Sequence, residues 1–107
     1  MRVHKIVTAT IGANATLSDI QDLEGSQLTA IYMPASWTAA DLSFQVGLRS
    51  DDMRQLLDDA GAVKQIKITA AKAIFLSGSA LAGFRFIRLV SSVSQVGARA
   101  LTLVGLR

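Results

Sequence analysis

Apolar and polar residues alternate along much of the chain, in short runs that end at glycine, proline, serine or aspartate. In "DLSFQVGLR" (41–49), Leu42, Phe44, Val46 and Leu48 share one face of an extended segment, because successive strand side chains point to opposite faces. Short runs of this kind, separated by regular turn signals, are typical of an all-β sandwich or barrel. The pattern predicts about eight short antiparallel strands, at 4–11, 27–33, 41–49, 53–57, 62–69, 72–76, 84–90 and 99–106.

Residues 49–61, "RSDDMRQLLDDAG", hold half of the acidic residues in two adjacent pairs. A short capped helix is one interpretation, since apolar residues recur there at helical spacing. The segment is nevertheless shorter than the ~12–15 residues that an isolated helix needs. Adjacent acidic pairs also lack the alternating oxygen ligands of a calcium loop. We therefore favour two acidic turns around a short strand at 53–57, with Gly61 taking a positive φ angle.

A chain of 107 residues is long enough to bury a core, and we expect it to form one domain spanning 1–107. It has no cysteine, which excludes disulfides and thiolate chemistry. The net charge is +3, but the basic residues are scattered, so we predict no nucleic-acid partner. No apolar run approaches the ~20 residues of a membrane helix, and threonines interrupt the N-terminal run that imitates a signal peptide. We therefore predict neither membrane association nor secretion.

Half of the residues are apolar, but many of these are alanine and only 6% of the chain is aromatic. We therefore predict a thin, mainly aliphatic core. The aromatic residues expected to anchor it are Trp37, Phe44, Phe75, Phe84 and Phe86. Trp37 lies in a loop and has two interpretations, since a tryptophan there can close the end of a sandwich or stack on a sugar ring. Closing the sandwich is favoured, because large side chains are scarce in this chain.

No catalytic signature is present. His4 is the only histidine, so neither a triad nor a histidine metal site can be assembled around it from the sequence. The glycines of "GSALAGFR" (78–85) lack the lysine and following hydroxyl of a phosphate-binding loop. No pair of carboxylates suggests acid–base chemistry. We expect a non-enzymatic protein without a cofactor or a metal.

Two predicted strands are apolar on both faces, whereas a small sandwich normally has one wet face on each sheet. In "RALTLVGL" (99–106), Leu101 and Leu103 lie on one face of the predicted strand, and Val104 and Leu106 lie on the other. An apolar outer face suggests contact with a neighbouring subunit or another protein. The candidate interface residues are Ile87, Leu101, Leu103, Val104 and Leu106, and some of them must belong to the core.

From residue 28 to residue 106, the order of motifs resembles that of a known group of proteins. The motifs are "DLSFQVGLRSDD", "RQLLDDAG", "AIFL", "AGFRFIRLVSS" and "GARALTLVGL". Their order resembles the galactose-binding-like jelly roll of discoidin-type domains. The chain is still more similar to small proteins of tailed-phage and gene-transfer-agent structural clusters, which carry a comparable "MPAxWTAAxLxFQ" stretch.

This resemblance implies a jelly-roll virion protein, assembled in the host cytoplasm and incorporated into the particle. Its expected role is an oligomeric capsid decoration or cement subunit, with the major capsid protein, other virion proteins and copies of itself as partners. The alternative is a carbohydrate-recognising module of a tail fibre or spike that binds a host-surface glycan. The candidate ligand loop would then comprise Trp37, Arg49, Asp51 and Asp52. Met53 stands where such modules often have an aromatic, which argues against this alternative.

Overall fold

The computed structural model describes residues 4–24, 26–57, 60–63, 65–67, 72–75 and 84–106. These residues form nine β-strands and no helix, which confirms the predicted all-β fold. In chain order the strands are β1 (His4–Ile11), β2 (Gln21–Asp22), β3 (Gln27–Tyr32), β4 (Asp41–Gly47), β5 (Arg54–Gln55), β6 (Gln65–Lys67), β7 (Ala73–Phe75), β8 (Phe86–Ser91) and β9 (Arg99–Leu106).

The strands wind between two antiparallel sheets in the manner of a jelly roll. Sheet A has the order β1-β9-β3-β7, and sheet B has the order β2-β8-β4-β5, with β6 also paired to β4. The first four strands enter sheet A and sheet B alternately, and β7, β8 and β9 continue this alternation. The predicted antiparallel sandwich is therefore confirmed. Two short strands, β5 and β6, share the outer side of β4.

The inner faces of the two sheets supply an aliphatic core around Phe44, the one fully buried aromatic among the described side chains. Leu42 and Val46 are buried beside it, as the alternation in β4 predicted. Trp37 and Phe84 are partly buried and pack against the margin of this core. The other buried apolar residues are Ala9, Ile11, Leu23, Leu28, Ile31, Met33, Ile87, Leu89, Leu101 and Leu103.

The prediction for the end of β4 is wrong, since Leu48 is 71% exposed and does not lie on the core face. The strand ends at Gly47, two residues before the predicted end. There the chain turns so tightly that a Cβ atom on Gly47 would lie 2.6 Å from the carbonyl oxygen of Asp52. This turn takes Leu48 out of the pleat, so the alternation of faces stops before it.

The acidic segment forms a turn and a short strand, as favoured over a helix, although the strand covers only Arg54–Gln55. Gly61 has the predicted positive φ angle, 88°. The second acidic pair, Asp58 and Asp59, lies outside the described residues, as does the side chain of Phe75.

Candidate functional site

The central position of β9 in sheet A determines which side chains share the outside of that sheet. Val104 of β9 is opposite Ile6 of β1 on one side and opposite Ala30 of β3 on the other. Directly opposed residues of antiparallel strands point to the same face. These three residues therefore form an apolar row across the sheet, and Ile6 at the end of this row is 66% exposed.

The outward positions of sheet A whose side chains are described are all uncharged. They are Ile6, Thr8, Thr10, Gln27, Ala30, Tyr32, Ala73, Ala100, Thr102, Val104 and Leu106, and we call them the sheet A outer face. Lys5 and Arg99 belong to the same strands but have the opposite orientation. Lys5 pairs with Glu24, with 3.3 Å between Nζ and Oε1, and Arg99 donates from Nε to the side-chain oxygen of Gln95, also at 3.3 Å.

The outside of sheet B has a different chemistry. Arg88 lies opposite Gln45 there and donates a hydrogen bond of 3.5 Å to its side-chain oxygen. Asp22, opposite Phe86 on the same face, accepts two hydrogen bonds of 3.0 Å from the guanidinium of Arg85. These bonds lower the pKa of the Asp22 carboxyl. In the side chains that the structure describes, the two outer faces of the sandwich therefore differ in charge, and that of sheet A is uncharged.

Two of the five candidate interface residues lie on the sheet A outer face, namely Val104 and Leu106, both partly exposed. The prediction is wrong for Ile87, Leu101 and Leu103, which are at most 1% exposed in the core. In β9 the two sets alternate, so the leucines at 101 and 103 point inward when Val104 points outward. These three side chains stabilise the monomer and are not available to a partner.

The structure does not bring the candidate ligand loop together. Trp37 precedes β4, whereas Arg49, Asp51 and Asp52 follow it, so the seven-residue strand separates them by roughly 20 Å. The indole nitrogen of Trp37 donates a 3.3 Å hydrogen bond to the carbonyl oxygen of Ala40, and its ring packs against the core. Trp37 therefore closes one end of the sandwich, as favoured from the sequence.

The acidic residues after β4 pair with arginines of the same loop. Arg49 lies 3.6 Å from Asp51, and Arg54 lies 3.1 Å from Asp52, measured from Nε to Oδ1 in both pairs. Arg49, Asp51 and Arg54 are largely exposed and Asp52 is 45% exposed, and such surface pairs contribute little to stability. Within the described ranges there is no group of three or more acidic, histidine or cysteine side chains that could hold a metal ion.

An open cleft of about 450 Å³ lies beside this loop. Its apolar lining includes Val46, Leu56 and Phe84, and the Asp52–Arg54 pair lies at its rim. The cleft offers apolar contact to a ligand. The charges of Asp52 and Arg54 in its lining already pair with each other.

Gln95 is a structural residue that sequence reasoning missed. Its side chain is fully buried, accepts a 2.9 Å hydrogen bond from the Thr38 amide and donates 3.0 Å bonds to the Thr38 carbonyl and to Ser91. These hydrogen bonds connect the loop between β3 and β4 to the loop between β8 and β9. A glutamine in the polar segment "SSVSQVGAR" (91–99) carries no sequence signal of such burial.

Together these features define an antiparallel jelly-roll sandwich whose outer face on sheet A is uncharged at every described side chain. No protein-family model matches the chain, and no curated protein matches it in sequence. Among solved structures, the SPBc2 prophage-derived protein YomS superposes with a TM-score of 0.55 at 11% identity, over 98% of this chain and 96% of that one. This likeness shows a common fold.

More distant likenesses are the Drosophila NLP core and a Bacillus endospore appendage protein. The first has a TM-score of 0.45 at 10% identity, covering 94% of this chain and 95% of that one. The second has a TM-score of 0.42 at 10% identity, covering 98% and 86%. These comparisons do not confirm a relationship to discoidin-type domains. The described part of the chain also holds no helix long and apolar enough to cross a membrane.

Proposed function

We propose that this chain is a non-enzymatic structural protein of a tailed-phage particle, where it decorates the capsid through protein–protein contacts. The docking surface is the sheet A outer face, and the partner is the major capsid protein or another virion protein. The protein assembles in the host cytoplasm and stays with the virion.

The observation that carries this proposal is the lack of charge on the sheet A outer face. The centres of protein–protein interfaces are depleted in charged residues and enriched in aromatic ones. On this face Ile6 is 66% exposed and Tyr32 is 56% exposed, beside the partly exposed Val104 and Leu106. Exposed apolar residues in one contiguous patch are typical of an interaction site, whereas singly scattered ones are ordinary.

The phage context is supported by the shared fold with the prophage-derived protein YomS, which covers nearly all of both chains. The motif order from residue 28 to residue 106, which resembles that of small tailed-phage structural proteins, points the same way. A glycan-binding role has less support, because Trp37 and the loop from 49 to 52 lie at opposite ends of β4.

The test is a charge substitution on each outer face. Val104→Asp places a carboxylate in the middle of the sheet A outer face. Val90→Asp is the matched control, because Val90 is also a partly exposed, outward-facing valine of a central strand, but in sheet B. We expect both variants to fold as monomers, since neither side chain points into the core. Only Val104→Asp should lose co-sedimentation with particles that lack this protein.

Equal binding of the two variants would show that the sheet A outer face is not the docking surface. Tyr32→Lys tests the same face independently at a more exposed position, if Val104→Asp lowers the yield of folded protein. Tyr32→Lys should also abolish particle binding, and its full retention would contradict the proposal.

A further inference from the structure

The edge strands of the two sheets differ greatly in length. Among the described residues, β2 and β5 have two residues each, and β6 and β7 have three each. Short edge strands are one way in which proteins avoid pairing with other chains. The fifth edge, β1, is eight residues long and pairs along its whole length with β9 on one side. This strand therefore presents the one long edge in the described part of the fold.

Hydrogen bonds at the end of β1 show which of its residues face this edge. The Thr10 amide donates to the carboxylate of Asp19 at 2.7 Å, and the Thr10 carbonyl accepts from the Asp19 amide at 3.3 Å. Thr10 therefore directs its backbone groups away from β9. Because this direction alternates along an antiparallel strand, Thr8, Ile6 and His4 also direct their amide and carbonyl groups to the edge.

Asp19 limits the edge that is open to a partner. It occupies the backbone groups of Thr10, and an isolated bridge between Ile11 and Ser18 continues this closure. The open stretch therefore runs from His4 to about Ala9 and is centred near Ile6. The one charged residue in this stretch, Lys5, points to the inner face and pairs with Glu24, so no charge opposes the approach of another strand.

We propose that β1 pairs with β1 of a second copy of this chain, antiparallel about a two-fold axis that passes between the two Ile6 residues. In this register Ile6 is opposite Ile6 of the second copy, and His4 is opposite Thr8 of the second copy. The edge-directed backbone groups of His4, Ile6 and Thr8 then all bond to the second copy. The ladder ends before Thr10, whose backbone groups already bond to Asp19. The inference rests on the proposed function and deepens it by naming a contact between copies of the chain.

In this register the apolar side chains on the sheet A outer faces of the two copies also lie next to each other. The apolar row from Ala30 through Val104 to Ile6 meets the same row of the second copy in reverse order, which gives one continuous row across six adjacent strands. A two-fold contact requires that a surface be complementary to itself in this way. The sheet A outer faces of both copies then lie on the same side and can bind one particle together.

The size of the contact determines how it will behave. A five-residue ladder is about 16 Å long, and the area that it covers is well below the roughly 800 Å² per partner of a stable complex. Pairing is therefore weak for the free chain and becomes strong when several copies are held on one particle. A covalent trap is the appropriate assay, because it accumulates a weak but specific pair.

The natural absence of cysteine makes single-cysteine variants unambiguous. In the proposed register the two Cα atoms at position 6 lie about 5.5 Å apart, within disulfide range. Thr8→Cys is the matched control on the same edge, because two residues at position 8 are offset by four residues, about 13 Å. Val96→Cys is a second control at an exposed aliphatic residue in a loop.

Under mild oxidation of the purified full chain, we expect Ile6→Cys to form disulfide dimers at least about tenfold faster than either control. Adding Thr8→Pro to Ile6→Cys should remove this difference, because proline eliminates an edge amide that the monomer does not use. Comparable rates for Ile6→Cys and Thr8→Cys would overturn the register, and comparable rates for all three variants would overturn the pairing.

This experiment uses the chain without particles, so its outcome is separate from the binding test with Val104→Asp and Val90→Asp. Loss of the cross-link with normal particle binding would reject only the β1 contact. Normal cross-linking with particle binding that is insensitive to Val104→Asp would reject only the docking face.

Discussion

Gln95→Ala removes the side chain that holds two loops of the sandwich together. The buried amide of Gln95 bonds both backbone groups of Thr38, and it also contacts Ser91 and the guanidinium of Arg99. The main-chain bonds of Gln95, to Asn14 at 2.6 Å and Ala15 at 3.0 Å, do not depend on its side chain. The substitution therefore isolates the contribution of the amide.

The magnitude follows from these contacts. Each of the four side-chain hydrogen bonds contributes about 1 kcal/mol, so the upper limit is about 4 kcal/mol. Arg99 is only partly buried, so water replaces part of its lost hydrogen bond in the variant. The amide and carbonyl of Thr38, in contrast, lose the buried side-chain amide of Gln95 as their partner. We expect the free energy of unfolding to fall by about 3 kcal/mol, which lowers the melting temperature by about 12 °C or more in a domain of this size.

Urea denaturation followed by circular dichroism measures this loss. Gln55→Ala, an exposed glutamine on β5, is the matched control and should change stability by less than about 0.5 kcal/mol. Amide exchange adds a local measurement. The Thr38 amide should lose protection beyond the global change, because its acceptor is gone, whereas amides in the middle of β9 should follow global unfolding alone.

A loss of less than about 1 kcal/mol for Gln95→Ala would refute this reasoning. It would mean that water replaces the amide at little cost and that the two loops are held mainly by their main-chain bonds. Unchanged protection of Thr38 would carry the same meaning at the level of the single hydrogen bond.

Two further substitutions test features of β2 and β4. Asp22→Asn should destabilise the protein at neutral pH, since Arg85 lowers the pKa of Asp22 and the charged form stabilises the fold. Urea midpoints of this variant and the unmodified chain should converge as the pH falls below the usual carboxyl pKa of about 3.9, and a constant gap would contradict the assignment. Gly47→Ala should cost about 2 kcal/mol, because its Cβ would meet the Asp52 carbonyl. Gly12→Ala, which has open space, should be nearly neutral, and equal effects at both glycines would refute the steric argument.

Local sequence patterns were sufficient to predict the longer strands of sheet A, whereas the two-residue strand β2 was not predicted. The boundaries of β1 and β9 agree with the sequence prediction, and β3 ends one residue before the predicted end. These strands are long enough for their pattern to be regular, and Gly12 directly follows β1. The end of β4 was missed because Leu48 continues the apolar alternation in the sequence, whereas the tight turn that brings the Asp52 carbonyl close to Gly47 takes Leu48 out of the pleat.

The division between core and outer face could be predicted only in part. Leu101 and Val104 were correctly placed on opposite faces of β9, but the sequence alone did not show which face is covered. That depends on long-range pairing, since Val104 lies beside Ile6 and Ala30. Gln95 was missed for the same reason, because its partner Thr38 is 57 residues away.

Ile6 belongs both to the sheet A outer face and to the free edge of β1, so a charge at this position cannot separate the two proposed contacts. The neighbouring residues can. Val104 is in the central strand of the face and has both neighbours within its own sheet, so Val104→Asp leaves the edge amides intact. Thr8 also lies on the sheet A outer face, but Thr8→Pro removes an edge amide and adds no charge to that face. If the edge contact brings two faces together, Thr8→Pro should weaken particle binding through lost avidity, whereas Val104→Asp should abolish it in monomer and dimer alike.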